Sequence, residues 1–224
     1  MGRVVKLLLR QRYQVSSVIP SSRRFLCTAS LSSSPSGGGF SLLAPMNLNE
    51  IVKLDVLTQE SNDRIKEIWS GSQTVNRTGL HICGDLDVQQ DRLFRAKGKE
   101  CPMFVFPVFK DSDDQYMMLL SQFQQNMFIL TYLEEYKRNP ASARPWMQIT
   151  LYDELVKEKA ISLYRVDFIP ELSIPESTTL SKVLFNMYSD QGMYDSHVLT
   201  FNKHPAKFDY NKYLDDVKEM VKTM

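Results

Sequence analysis

The 224-residue sequence predicts an α+β fold, a single domain built on a mainly antiparallel sheet flanked by helices. Three observations lead there. The middle of the chain holds apolar runs separated by short polar turns, and two amphipathic helical stripes close it. Strands and helices also fail to alternate in the regular βαβ rhythm that a parallel sheet requires.

The elements follow in order. Asn47 can cap a short helix with Glu50 at the third position. Beyond Thr58, read as a second capping residue, Ile65, Ile68 and Trp69 share one helical face, which Gly71-Ser72 should end. Leu80 and Ile82 with their polar neighbours read as a strand. From Asp87 to Lys97 an amphipathic helix is expected, with Val88, Leu93 and Phe94 inward and Gly98 closing it. Met103 to Phe109 is a continuous apolar run, followed by the turn signal Asp111-Ser112-Asp113-Asp114. Two more runs, Tyr116 to Phe123 and Met127 to Leu133, complete an antiparallel meander. Pro107 cannot donate to a ladder, so it marks a bulge or an edge position. Ile161 to Phe168 and His197 to Phe201 are further strand candidates. The tightest helical stripe is Leu180, Val183, Leu184, Met187 and Tyr188; a second one, Tyr210, Tyr213, Leu214, Val217 and Val221, lies near the end.

The first 45 residues read differently from the remaining 46–224. Arg3, Lys6, Arg10, Arg12, Arg23 and Arg24 are the charges before Glu50, and no acid precedes it. An Arg- and Ser-rich, acid-free, amphipathic start is that of an organellar transit peptide, and Arg10 and Arg12 interrupt what a secretory signal would need as an apolar stretch. Arginine outnumbering lysine favours the mitochondrion over the plastid, and the expected address is the mitochondrial matrix. Ser32 to Gly39 forms a flexible link.

Removing those six basic residues from the 27 Lys+Arg leaves 21 against 26 Asp+Glu, a body near −5. Nucleic acid is a poor match for such a surface. No apolar run approaches the ~20 residues of a spanning helix, so no membrane insertion is expected. With Cys27 in the presequence, Cys83 and Cys101 are expected as buried free thiols rather than as a pair.

The search for chemistry turns up little. His81 and Cys83 share a strand face, but two ligands do not make a zinc site. Gly79 and Gly84 have phosphate-loop spacing, yet Asp85 stands where the lysine belongs. The acidic clusters at Asp85/Asp87/Asp91 and Asp111/Asp113/Asp114 lack the glycine and glutamate of a calcium loop. No cofactor and no catalytic residue is expected. The alternatives are a matrix enzyme with a thiol–histidine site assembled from His81, Cys83 and His197, or a stable scaffold subunit of another matrix complex. Eleven Met and twelve Phe stand out. Met117, Met118, Met127 and Met187 either fill the core or form a plastic surface for another protein's apolar groups.

A set of short pieces in fixed order then carries a resemblance. They are Ile65-Lys66-Glu67-Ile68-Trp69, Cys101-Pro102-x-Phe104 with Pro107, Ser121-Gln122-Phe123, Leu130 to Tyr136, Tyr152-x-Glu154-Leu155 before Ile161-x-Leu163, and Phe201-Asn202-x-x-Pro205-x-x-Phe208. From about Leu48 to Met220 the chain resembles the mitochondrial ATP synthase assembly-factor family. That resemblance implies a monomeric α+β chaperone without nucleotide or metal. It would bind the unassembled β subunit until the α subunit displaces it. Family members elsewhere carry a charged segment ahead of this domain, whereas here the Gly-rich link runs straight into Asn47. The resemblance brings no catalytic residues. For partner binding it points to Phe201, Asn202, Pro205 and Phe208, which on a structural reading would instead shape a turn with both rings packed inward.

Overall fold

A computed structural model of the protein describes residues 47–75, 81–110 and 115–224, with backbone only for 72–75. Six strands form its sheet: β1 (His81–Asp87), β2 (Met103–Phe109), β3 (Tyr116–Gln124), β4 (Met127–Tyr132), β5 (Pro145–Tyr152) and β6 (Ile161–Phe168). All neighbours are antiparallel, in the order β1-β6-β5-β4-β3-β2. β2 to β6 is therefore one continuous meander, and β1 joins at its far edge. A single helix, α4 (Val88–Glu100), carries the chain from the β1 edge to the β2 edge. Its 13 residues span about 20 Å, close to the ~24 Å across six strands.

Strand alternation sorts side chains onto two faces. One face carries Phe104, Phe106, Leu119, Phe123, Phe128, Leu130, Met147, Ile149, Val166 and Phe168, all buried. α4 and α7 (Ile174–Ser189) lie over it. Phe94 stacks on Phe185 at 4.9 Å, Tyr164 meets Phe185 at 5.0 Å, and Phe128 meets Tyr188 at 5.1 Å. A buried polar tie fixes α4: Asp91 accepts from Arg95 Nε at 2.8 Å and from Ser162 Oγ at 2.8 Å, while Arg95 also donates to the Leu151 carbonyl. The opposite face, at β1, β6 and β5, is covered by α1 (Leu48–Ile51), α2 (Leu54–Leu57) and α3 (Asn62–Val75). There Leu48, Leu57, Ile65 and Trp69 pack on Cys83, Tyr152 and Leu163. The Trp69 indole donates to the carbonyls of Gly84 and Tyr164, each at 3.1 Å.

The α+β architecture expected from sequence is present, with both stripes forming helices: α7 and α10 (Tyr210–Lys222). Glu50 caps α1 by accepting from the Asn47 N–H at 2.9 Å. Pro107 lies on edge strand β2 with its register unbroken.

Several boundaries differ from expectation, each for a physical reason. Thr58 closes α2 instead of opening α3, and Ser61 Oγ accepts from Arg64 N at 3.3 Å. The helix does not stop at Gly71-Ser72 but runs to Val75; nothing lies within 4 Å of where a Gly71 Cβ would be, so this glycine only weakens an exposed turn. Leu80 and the turn signal 111–114 lie outside the described residues. Gly98 is not a terminator. It sits inside α4 because the Phe123 ring occupies the place of a Cβ, 2.7 to 2.9 Å away. Sequence periodicity misses β5, which is buried on both faces and so shows no polar alternation. The expected strand at His197 to Phe201 is helical: a π-helical segment (Tyr194–Leu199) runs into α9 (Thr200–Lys203). Tyr194, His197, Val198, Phe201 and Asn202 are its buried residues, a helical spacing that the β-branched Val198 and Thr200 conceal.

The Gly98 contact predicts a sign. Gly98→Ala gains about 1 kcal/mol of helix propensity but meets the Phe123 ring, and overpacking costs about 1–3 kcal/mol. Urea denaturation should therefore show net destabilisation, relieved by Phe123→Leu; a more stable G98A protein would refute the packing account.

Candidate partner-binding surface

The C-terminal segment from Asp190 onward closes the sheet at β2. Asp190 starts it by accepting from Met193 N at 2.8 Å, which caps α8 (Gln191–Met193). α8, the π segment and α9 then wind without a break, and one wider turn places Phe201 and Asn202 against β2.

The backbone of β2 shows what they meet. Pro102 accepts from Phe123 N and Lys110 donates to Gln115, so the even-numbered residues face β3. Odd-numbered residues face outward, since backbone groups of residues two apart point the same way. The Met103 carbonyl accepts from Asn202 Nδ2 at 2.6 Å, and the Val105 carbonyl from the Tyr213 hydroxyl at 2.5 Å. Pro107, next in that row, has no N–H to leave unpaired. Asn202 also bonds the Val198 carbonyl at 2.8 Å, so its amide ties its own helix to the sheet edge.

Phe104 is the hub of the apolar contact. Its ring lies edge-on to Phe106, Phe201, Phe208 and Tyr213 at 5.1 to 6.2 Å. Phe201 is 3% exposed and also meets Phe208 at 5.3 Å. Pro205 opens a 3₁₀ turn (Pro205–Lys207) and, like Phe208, is only half-buried. The four residues singled out by sequence are thus one structural unit, with Phe201 and Asn202 inside and Pro205 and Phe208 at the surface.

The same region holds a second bolt. His197 Nε2 lies 2.8 Å from Asp216 Oδ2, and Lys212 Nζ reaches the same oxygen at 2.6 Å. Burial acts to raise the Asp216 pKa, but the hydrogen bonds from Lys212 and His197 outweigh it and hold the carboxyl below its ordinary value. Farther along β2, a cavity of about 170 Å³ opens between the strand, α7 and α10, lined by Val108, Phe109, Leu180, Val183 and Val221 among others. The Glu176 carboxylate at its wall takes Lys110 Nζ at 2.5 Å. Burial opposes that carboxylate's charge, yet the Lys110 and Ser173 contacts keep its pKa low.

The residues of the thiol–histidine reading are not brought together. His81 and Cys83 share one face of β1, with Cys83 in the cluster beneath Trp69. His197 belongs to the helical layer on the other face, against Tyr213 and Asp216. Cys83 and Cys101 are both buried. No His, Cys, Asp or Glu group suited to a metal occurs among the described residues. Met127 and Met187 fill the core, while Met117 and Met118 are half-buried. Sequence reasoning missed the role of Tyr213. It stands in an apolar stripe as a filler, but a fully buried phenol needs a partner, and the free carbonyls of an edge strand are the place to look.

An α+β domain whose C-terminal segment is given over to closing its own sheet edge belongs, by comparison with known families, among the mitochondrial ATP synthase assembly factors. The matching family model, described as ATP11 protein, covers residues 43–214, from ahead of α1 into α10, and the chain belongs to this ATP11 family. No curated protein matches the chain. No helix among the described residues is long and apolar enough to cross a membrane.

Two outcomes follow from the geometry. Asn202→Ala strands the Met103 carbonyl and should cost about 1–3 kcal/mol in chemical denaturation; Asn202→Gln, which keeps an amide donor, should cost less, and Asn202→Asp, whose carboxylate only accepts, should not restore the loss. The lowered Asp216 pKa gives stability that is present above its unfolded value of 3.8 and lost as pH falls through the folded one. Melting curves of wild type and Asp216→Asn should accordingly differ at neutral pH and converge below about pH 3.8.

Proposed function

We propose that the protein is a chaperone of ATP synthase assembly that works in the mitochondrial matrix, holding the unassembled β subunit out of aggregation until the α subunit displaces it. The observation that carries this reading is the family match over nearly the whole folded domain. The basic, acid-free residues 1–45 would act as transit peptide and link, and 46–224 as the chaperone domain, working as a monomer without cofactor. The partner surface is the C-terminal corner: Pro205 and Phe208 make contact, and Phe201 and Asn202 hold them in place. Half-buried apolar side chains on a rigid turn suit this role, because their geometry is set before the partner arrives and little side-chain entropy is lost on binding.

The experiment dilutes denatured β subunit into buffer with the full chain and follows light scattering, then adds α. Suppressed aggregation without ATP or magnesium, and release of β on addition of α, are expected; unchanged scattering at equimolar protein would sink the proposal. Phe208→Ala should weaken protection several-fold while lowering the melting temperature by no more than a few degrees, since the ring is only half-buried.

A further inference from the structure

Charge at this corner runs against the rest of the domain. The body carries 26 acidic residues against 21 basic ones once the six N-terminal basics are set aside. Yet from Phe201 to Phe208 there are two lysines and a histidine and no acid. Lys203, His204 and Lys207 are exposed; they flank Pro205, and Lys207 stands directly before Phe208. Neither lysine makes an ion pair among the described residues.

The acids nearby are already committed. Asp209 accepts from Asn211 N and Lys212 N, both at 3.1 Å, as the cap of α10. Asp216 is shared by His197 and Lys212, and Asp195 takes Gln191 Nε2 at 2.8 Å. The corner therefore presents two ammonium groups outside any ion pair beside a partly exposed ring. Moreover, its backbone is fixed at both ends, by Asn202 on β2 and by the Asp209 cap.

From this charge complementarity we infer that the corner recognises an acidic segment of the subunit the protein holds, one in which a bulky apolar side chain lies between carboxylates. The apolar group packs on Pro205 and Phe208, and the carboxylates face Lys203 and Lys207. This rests on the chaperone reading and adds the chemistry of the segment that is gripped. Two lysines are too few for a nucleic acid, whose affinity comes from neutralising many phosphates. A protein segment also uses the ring beside them.

The test compares association of the full chain with immobilised unfolded β subunit for three proteins: wild type, Lys203→Glu/Lys207→Glu, and Lys157→Glu/Lys182→Glu. Lys157 and Lys182 are exposed and lie on other elements, so the last protein matches the net charge of the second. The corner variant should associate about tenfold more slowly at low salt, the deficit shrinking towards 0.5 M salt, because charge complementarity acts chiefly on the on-rate and is screened. The control should associate like wild type, and all three should melt alike. Equal rates for wild type and corner variant, or equal slowing by the control, would overturn the inference and leave the chaperone reading standing. Wild type that captures neither ATP synthase subunit would overturn both. Binding of wild type to phosphatidylserine vesicles that is lost in the corner variant, with β capture unchanged, would reassign the corner to a membrane surface.

Discussion

The constraint on which the rest of this structure depends is the open edge of its sheet. A six-stranded antiparallel sheet that does not close leaves two edges, and the β2 edge is seven residues of nearly unbroken apolar sequence, Met103-Phe104-Val105-Phe106-Pro107-Val108-Phe109. Left bare, such an edge invites pairing with any extended chain. Here it is closed from several sides at once: two carbonyls take side-chain donors, the proline removes a third position's N–H, and aromatic rings pack around Phe104. The C-terminal helices serve this end, and their spacing is dictated by it. The π segment supplies the wider turn that brings Phe201 and Asn202 to β2, and the His197–Asp216 contact ties that segment to α10, which delivers Tyr213. A sealed edge also keeps extended segments of other chains from adding to the sheet.

The two faces of the sheet are covered by different means. One is sealed by long helices whose aromatic residues interlock with strand residues, as at Phe94, Phe185, Tyr164 and Tyr188. The other is covered at β1, β6 and β5 by two four-residue helices and α3, held by polar ties that include an indole bridging two carbonyls. Tyr164 links the two arrangements: its ring crosses Gly84 on one face, so close that a Cβ there would lie 2.4 Å from it, and its carbonyl receives Trp69 on the other.

Much of this was legible in the sequence where a signal is local. The capping box at Asn47, the α7 and α10 stripes and the edge position of Pro107 each follow from a few neighbouring residues. What was not legible depends on contacts between distant parts. Gly98 looks like a helix stop until Phe123 is seen against it. β5 hides because burial on both faces erases alternation. The His197–Phe201 stretch has strand composition and adopts a helix because the β2 edge is what it must reach. At the candidate surface, spacing picked out Phe201, Asn202, Pro205 and Phe208 as one group. It did not tell which pair faces in, because that depends on where Phe104 lies.

The strand order has a consequence for how the molecule comes into being. β1 is the first strand to leave a ribosome, yet among the described residues its ladder partner is β6, with the nearest register pair joining Asp87 to Ile161. α1 to α3 likewise rest on Tyr152 and Leu163, which arrive later still than β2 to β4. The stretch from α1 to β1 thus lacks its partners in β5 and β6 and must wait, while the meander from β2 to β6 can assemble hairpin by hairpin. A member of an assembly-factor family thus passes through an exposed interval of its own while it folds.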